Sequence, residues 1–286
     1  MRILLTGKSG QVGSALSASL PSLGQVVALD RTELDLASPD SIAAAVRSVR
    51  PQVIVNAGAY TAVDQAEREE ALALRINRDG PAILGEEAAL LGALLVHFST
   101  DYVFDGQKPS PYVETDTPNP LNAYGRSKLA GEQAVRASGC RHLILRTSWV
   151  YGPFGRNFLL TILSLARQGK PLRVVDDQRG APTSNLAIAA AVPEAVRRVL
   201  ATPSLEGLYH MTAGGETTWY RFARAILDQT QTKADLVAVD SSQYRSPARR
   251  PLNSMLDNQN TATRLQTRLS PWQNGLRQVL LALQGG

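Results

Sequence analysis

Tyr124 and Lys128 place a phenol and an ammonium group four residues apart. Residues four apart lie on the same face of an α-helix, so the two groups lie side by side if this segment is helical. A free phenol has a pKa of about 10, but a nearby positive charge lowers that pKa by stabilising the phenolate. The pair therefore indicates acid–base chemistry, with Lys128 able to supply the charge. An exposed helix face is the alternative.

A second chemical signal is a series of glycines that directly follows an apolar run over 2–6. Glycine lets the backbone approach a pyrophosphate closely, and the free amides at the start of the next helix stabilise phosphate oxygens. A strand, a glycine turn and a helix in this order predict a dinucleotide site. The expected contacts in the turn are Gly7, Gly10, Gln11, Val12 and Gly13.

The identity of the dinucleotide depends on Asp30 and Arg31, at the end of the second predicted strand. A carboxylate there accepts hydrogen bonds from the adenosine ribose of NADH, whereas a guanidinium favours the 2′-phosphate of NADPH. Both cofactors therefore remain candidates, and a surface turn is the alternative role for Asp30. Asp35 and Leu36 are candidates to flank the adenine, with a turn as the alternative role. Further candidates follow the third strand: Ala59, Tyr60 and Thr61.

Ser99 and Thr100 end the fourth predicted strand, where a hydroxyl can hydrogen-bond a substrate carbonyl opposite Tyr124. His97 lies within the same apolar strand and is more typical of a satisfied core histidine than of a catalyst. The glycine turn, the strand-end hydroxyl and the phenol–ammonium pair rarely coincide by chance, so together they favour a catalytic site.

Apolar strands alternate with helices through the first half of the chain, which predicts a parallel sheet covered on both faces. The fold class is therefore α/β, a doubly wound parallel sheet of the Rossmann type, with a smaller mixed α/β substrate-binding region. We expect the dinucleotide-binding domain over 1–150 and the second region over 151–286, interleaved with the first. The predicted strands are 2–6, 26–30, 53–56, 94–99 and 143–149, with shorter ones near Arg173 and Tyr209. The predicted helices are 11–20, 40–49, 79–91, 124–138, 157–168, 185–200, 218–229 and 273–283, and 241–251 is predicted as a loop.

The composition of the 286 residues is that of a globular protein, with 44% apolar and 19% charged residues. The longest apolar runs fall well short of the roughly 20 residues that cross a bilayer, so no membrane partner is expected. A single cysteine, Cys140, and the lack of a secretory signal pattern suit a cytoplasmic location. The net charge of +5 comes from scattered basic residues without a nucleic-acid motif, so no nucleic-acid partner is expected.

Longer strings of residues are more specific than these short motifs. Three of them are Thr100-Asp101-Tyr102-Val103-Phe104, Arg146-Thr147-Ser148-Trp149-Val150-Tyr151 and Gln178-Arg179-Gly180-Ala181-Pro182-Thr183. With the glycine turn and the Tyr124–Lys128 motif, they resemble the extended short-chain dehydrogenase/reductase superfamily, and more narrowly the dTDP-4-dehydrorhamnose reductases. The resemblance covers nearly the whole chain.

That resemblance implies reduction of the C4 ketone of dTDP-4-dehydro-L-rhamnose by NADPH or NADH. Tyr124 would be the proton donor, Lys128 would modulate its pKa and bind the ribose, and Thr100 and Asp101 would contact the substrate. Trp149 would pack against the sugar, although an indole at the end of a buried strand is by itself more typical of a core residue.

The resemblance also bears on charge and assembly. Arg250, with Arg249, is a candidate to pair with a substrate diphosphate, and a solvated basic loop is the alternative. Some relatives are described as dimerising through magnesium held by glutamates, but the aligned positions here are Ala15 and Leu186, which cannot ligate a hard cation. We therefore expect no metal site, and a monomer or weak homodimer.

Two alternatives share the fold. One is another nucleotide-sugar enzyme, an epimerase or a 4,6-dehydratase; dehydratases of this kind place a glutamate after the Thr-Asp pair, where this chain has Tyr102. The other is a non-catalytic module resembling the regulatory subunit of methionine adenosyltransferase. The intact set of Tyr124, Lys128 and Thr100 argues against it.

Overall fold

The structure is a computed structural model that describes residues 1–243 and 246–284. Its strands are β1 (Arg2–Thr6), β2 (Gln25–Leu29), β3 (Val53–Asn56), β4 (Leu94–Thr100), β5 (Arg141–Thr147), β6 (Val150–Tyr151), β7 (Leu172–Val175), β8 (Arg179–Gly180), β9 (Thr183–Ser184), β10 (Gly207–His210), β11 (Thr217–Thr218) and β12 (Leu236–Val239). Its α-helices are α1 (Gln11–Ser19), α2 (Pro39–Val49), α3 (Val63–Ala66), α4 (Glu70–Leu74), α5 (Gly80–Leu91), α6 (Ala123–Ala137), α7 (Phe158–Arg167), α8 (Asn185–Ala201), α9 (Trp219–Gln229), α10 (Gln259–Arg264) and α11 (Trp272–Gln284).

Six strands form one parallel sheet in the order β10-β5-β4-β3-β1-β2. The strand order reverses between β1 and β3, whose register runs from the pair Ile3 and Val53 to the pair Thr6 and Asn56. In open α/β sheets, ligands bind outside the carboxyl ends of the strands at such a reversal. The predicted doubly wound parallel sheet is confirmed, and it places the glycine turn and the third strand at this crevice.

The central strands β3 and β4 are buried on both faces and are almost continuously apolar, whereas the edge strand β2 is partly exposed. Successive side chains of a strand point to opposite faces, and accordingly Ile3 and Leu5 belong to one hydrophobic core whereas Leu4 belongs to another. The first core packs against α1 and α8, and the second against α2, α5 and α6. The two layers of helices fix where the strand ends lie.

The second half of the chain contributes to both parts of the molecule. The predicted strand near Tyr209 is β10, which pairs with β5 at the edge of the large sheet. A third core gathers α7, α9 and α11 beside the parallel pair β7 and β12, and this is the smaller mixed region. Among the described helices, none is both long and apolar enough to cross a membrane.

Two of the differences from the prediction concern segments beside the site. The fifth strand ends at Thr147, two residues before its expected end, and Trp149 has a positive φ of 48° that no strand accommodates. The segment from Val63 to Arg78, for which no element was predicted, forms α3, α4 and most of a π-helical turn that ends at Asp79. Within the predicted loop over 241–251, residues 244 and 245 lie outside the described part of the chain.

Candidate active site

The phenol and the ammonium group lie on the first two turns of α6. The helix begins after Asn122, whose side-chain oxygen accepts a 2.8 Å hydrogen bond from the backbone N–H of Gly125. A Cβ at Gly125 would lie 2.2 Å from the backbone oxygen of Tyr102, so only glycine lets α6 approach the turn that follows β4 so closely. This contact brings Tyr124 and Lys128 to the carboxyl end of β4.

The Tyr124 phenol keeps its proton at neutral pH. Burial raises the pKa of Tyr124 to about 12, while the Thr100 hydroxyl acts against this shift and the Asp101 charge adds to it. Lys128 does not contribute to this shift, because its amine bonds the backbone oxygen of Phe98, so its lowering of the Tyr124 pKa stays a prediction. A phenol that stays protonated suits the role of a proton donor.

Lys128 is buried, and its amine donates a 2.6 Å hydrogen bond to the backbone oxygen of Phe98. Burial lowers the pKa of Lys128 to about 8, although the negative charge of Glu132 raises it. The amine is thus tied to the strand rather than to the phenol, and its charge titrates slightly above neutral pH.

Thr100 and Asp101 form a short polar turn at the end of β4. The Thr100 hydroxyl donates to Asp101 Oδ1 at 3.0 Å and accepts from the Tyr102 N–H at 3.2 Å. Burial raises the pKa of Asp101 to about 7, against the effect of the Ser254 hydroxyl. The Tyr102 ring meets the Tyr124 ring edge-on, with 5.9 Å between centroids. The turn therefore fixes the ring and the hydroxyl that flank the phenol.

The glycine turn has the shape that a pyrophosphate requires. Gly7 has a φ of 69°, and a Cβ there would lie 2.7 Å from Gly58. A Cβ at Gly13 would lie 2.0 Å from the Gly7 oxygen, and the Gly10 N–H donates to that oxygen at 2.9 Å. Because no side chain caps the start of α1 at Gln11, the first amides of the helix are free for an anion. The cradle fits the pyrophosphate of a dinucleotide.

Acidic and basic side chains gather where β2 ends. Asp30 Oδ1 accepts hydrogen bonds from the N–H and hydroxyl of Thr32, and Lys8 lies 3.6 Å from Asp30 Oδ2 and 2.5 Å from Glu33 Oε2. Arg31 is 75% exposed and 3.8 Å from a carboxylate oxygen of Asp35. Lys8 was missed as a candidate, although its place inside the glycine turn could have indicated it.

The remaining predicted cofactor contacts lie on the same side of the sheet. The Asp35 carboxylate accepts from the Ala37 N–H as in a turn, whereas Leu36 is buried and would meet a Cβ at Gly58 at 2.7 Å. After β3, the chain from 59 to 61 is held by Asn77, which contacts the backbone N–H and oxygen of Tyr60. Asn77 also donates to Ser127 on α6. Nothing in the local sequence marked Asn77 for this role.

Two predicted substrate contacts have partners within the protein. The Trp149 ring stacks on Trp219, with 3.6 Å between centroids, and would meet a Cβ at Gly180 at 2.4 Å. One nitrogen of the Arg250 guanidinium donates to Asp64 Oδ2 at 2.9 Å. The substrate contacts of both residues stay predictions, and the alternative of a core aromatic residue describes the packing of Trp149.

Neither of the two positions considered for a metal has a side chain that can bind one. Ala15 is buried in the core beside β1, and Leu186 packs against the core of the smaller region. Within residues 1–243 and 246–284, no group of three or more His, Cys, Asp or Glu side chains could hold a metal ion.

Comparison with known proteins places this geometry in a family. The model of the RmlD substrate binding domain matches residues 1–284. The chain belongs to this family. A dTDP-4-dehydrorhamnose reductase from Burkholderia thailandensis is 45% identical over 284 residues, with 95% of each chain covered. One from Salmonella typhimurium is 43% identical over 290 residues, covering 98% of this chain and 97% of the relative. The predicted family is confirmed.

Solved structures agree with this family. The Bacillus anthracis dTDP-4-dehydrorhamnose reductase, solved in complex with NADP, has a TM-score of 0.91 and 34% identity, covering 98% of this chain and 99% of that one. A UDP-glucose 4-epimerase from Thermus thermophilus, in complex with NAD, has a TM-score of 0.82 over the full length of both chains at 23% identity. At that identity the likeness extends to the fold alone.

Proposed function

We propose that the protein reduces the C4 ketone of dTDP-4-dehydro-β-L-rhamnose to dTDP-β-L-rhamnose, with NADPH or NADH as the hydride source. The relatives that bear this activity in their names match the chain over nearly its whole length. The observation that carries the proposal is a protonated phenol, Tyr124, beside the Thr100 hydroxyl at the sheet end where the glycine turn also lies.

The proposed reaction assigns a step to each residue. The hydride to C4 would come from a nicotinamide nucleotide bound at the glycine turn. As charge develops on the ketone oxygen, Tyr124 donates its proton there, so that the oxygen becomes the new hydroxyl. Thr100 would donate a hydrogen bond to the same oxygen and orient it, which requires its hydroxyl to give up its bond to Asp101 Oδ1. Lys128 would provide the positive charge that stabilises the phenolate left behind. To stabilise the phenolate, the Lys128 amine must give up its hydrogen bond to the Phe98 oxygen and move towards the bound cofactor and substrate.

The test of this function is consumption of reduced cofactor by the purified protein with dTDP-4-dehydro-L-rhamnose, followed by absorbance for NADPH and NADH in parallel. One cofactor should be oxidised for each sugar reduced. A cofactor that is retained without net consumption would favour an epimerase, and copurification with a larger catalytic partner without turnover would favour a regulatory subunit. A dehydratase would need Tyr102 to act as a base, but burial raises the pKa of Tyr102 and so disfavours the phenolate that a base requires.

Cofactor choice can be altered at the end of β2. Because the Arg31 guanidinium is 75% exposed, its truncation to alanine should leave the fold intact and remove one charge available to a 2′-phosphate. We expect the KM for NADPH to rise about fivefold, the equivalent of about 1 kcal/mol, with the KM for NADH unchanged. Arg277→Ala on the exposed side of α11 is the control. Equal changes for the two cofactors would contradict this assignment.

We also propose a cytoplasmic protein that is a monomer or weak homodimer. The support for the second point is the pair of apolar side chains, Ala15 and Leu186, at the positions considered for metal ligands. Its mass in solution, measured by light scattering, should be the same with magnesium and with EDTA. A dimer that dissociates only on chelation would refute the expectation.

A further inference from the structure

A buried ion pair lies one turn beyond Lys128 on α6. Arg146 of β5 donates two hydrogen bonds to the Glu132 carboxylate, from Nε at 2.8 Å and from Nη2 at 2.7 Å. The Ser99 hydroxyl donates a third to the same carboxylate at 2.5 Å. The two charged side chains are only 3% and 2% exposed. Burying such a pair costs desolvation free energy, so the pair is weak evidence for stability and invites another explanation.

The pair joins α6 to β4, the strand that ends with Thr100, whose hydroxyl is proposed to contact the substrate. Glu132 contacts β4 at Ser99, and Lys128, four residues earlier on the same helix face, contacts β4 at Phe98. Thr100 follows directly on that strand. The two contacts therefore set the position of the helix relative to the last three residues of β4.

We propose that Glu132, held by Arg146 and Ser99, is a positioning residue for the reduction: it locks α6 to the end of β4 and supplies the counter-charge for the Lys128 ammonium. The inference rests on the proposed function, because the lock sets the distance between the proton donor Tyr124 and the Thr100 hydroxyl.

The charges around Lys128 make the contribution of Glu132 measurable as a pH dependence. On α6 it faces Glu132 and, one turn earlier, Tyr124, which is neutral; on β4 it faces His97, which is also neutral because burial and Lys128 itself hold its pKa well below the usual value. Arg146 of β5 shares the Glu132 carboxylate with Lys128 and is bound to it by two hydrogen bonds. The negative charge of Glu132 raises the pKa of Lys128 against the larger effect of burial, and without that charge the pKa would fall below about 8.

The experiment compares Glu132→Gln and Glu132→Asp with a matched control, Glu87→Gln. Glu87 is a buried carboxylate of α5 that also accepts two hydrogen bonds from one arginine, Arg47, but it lies outside the site. For each protein the measurements are the pH profiles of kcat and kcat/KM, the pH dependence of NADPH binding by calorimetry, and the melting temperature.

In the unaltered protein, kcat/KM and NADPH binding should fall as pH rises through about 8, because Lys128 loses its charge. Glu132→Gln should move this alkaline limb down by about one pH unit or more and lower kcat about tenfold. Glu132→Asp keeps the negative charge, but its side chain is one methylene too short to bind Arg146 and Ser99 together. We therefore expect kcat to fall while the alkaline limb of the pH profile stays at the same pH. Glu87→Gln should change the melting temperature alone.

An unmoved alkaline limb in Glu132→Gln, or an unchanged kcat in Glu132→Asp, would overturn the proposal; the aspartate variant decides the matter should the glutamine variant fail to fold. Failure of the proposed function is a separate result, because it would be the absence of turnover in the unaltered protein. The pH dependence of NADPH binding would then still test the role of Glu132.

Discussion

Tyr124→Phe should lower kcat by two orders of magnitude or more while NADPH still binds. The substitution keeps the ring, and with it the edge-on contact with Tyr102, but removes the proton that the developing alkoxide requires. Because the phenol has a pKa of about 12 in the unliganded protein, it is a proton donor throughout the neutral range. The measurement is steady-state turnover with the keto sugar, together with NADPH binding by calorimetry.

Tyr151→Phe is the matched control for this variant. Tyr151 is a second buried phenol, its hydroxyl finds no hydrogen-bond partner among the described residues, and its ring packs in the core of the smaller region. Its replacement should leave kcat within about twofold of the original value. Near-normal turnover in Tyr124→Phe would show that the proton comes from elsewhere, and the proposed mechanism would have to be abandoned.

The second large effect is expected at the glycine turn. In Gly13→Ala the new Cβ would lie 2.0 Å from the Gly7 oxygen, a distance that no real Cβ tolerates, so the turn or α1 must move. Overpacking of this kind costs about 1–3 kcal/mol, and here the strain falls on the amides that face the pyrophosphate. We expect the dissociation constant for NADPH to rise about tenfold or more and the melting temperature to fall.

Gly214→Ala provides the comparison, because its new Cβ would be 3.8 Å from the nearest atom and its φ is not positive. That variant should bind NADPH as the original protein does. Wild-type affinity in Gly13→Ala would mean that the cofactor does not depend on this turn, and the dinucleotide site would need another location.

The strands were predictable because burial on both faces leaves a continuous apolar run in the sequence. β1 and β3 have the predicted bounds, and α2 begins at Pro39, one residue before its predicted start, after the Ser38 cap. By contrast, α3 and α4 have four and five residues, too few for a helical period to show. Trp149 lies outside the strand in which it was predicted, and its positive φ of 48° is not indicated by the sequence.

Within the candidate site, spacing alone identified which residues lie on α6 but not where their ends point. The prediction paired Lys128 with the phenol, whereas the amine reaches the Phe98 oxygen, thirty residues away along the chain. The bonds of Asn77 to the chain after β3 and of Glu132 to Arg146 likewise join separate elements. Such partners are set by how the helices pack on the sheet, which local pattern cannot supply.

The placement of β10 and α8 limits how relatives of this protein can be recombined. Both elements come from the second half of the chain, yet β10 completes the edge of the large sheet beside β5, and α8 covers its face beside α1. Asn185 at the start of α8 even donates to the backbone oxygen of Gln11 in the glycine turn. A chimera that joins two relatives near residue 150 to exchange sugar specificity would therefore also replace α8 and β10, which pack against the nucleotide-binding half. To keep these two elements, the crossover points should lie on either side of α8 and of β10.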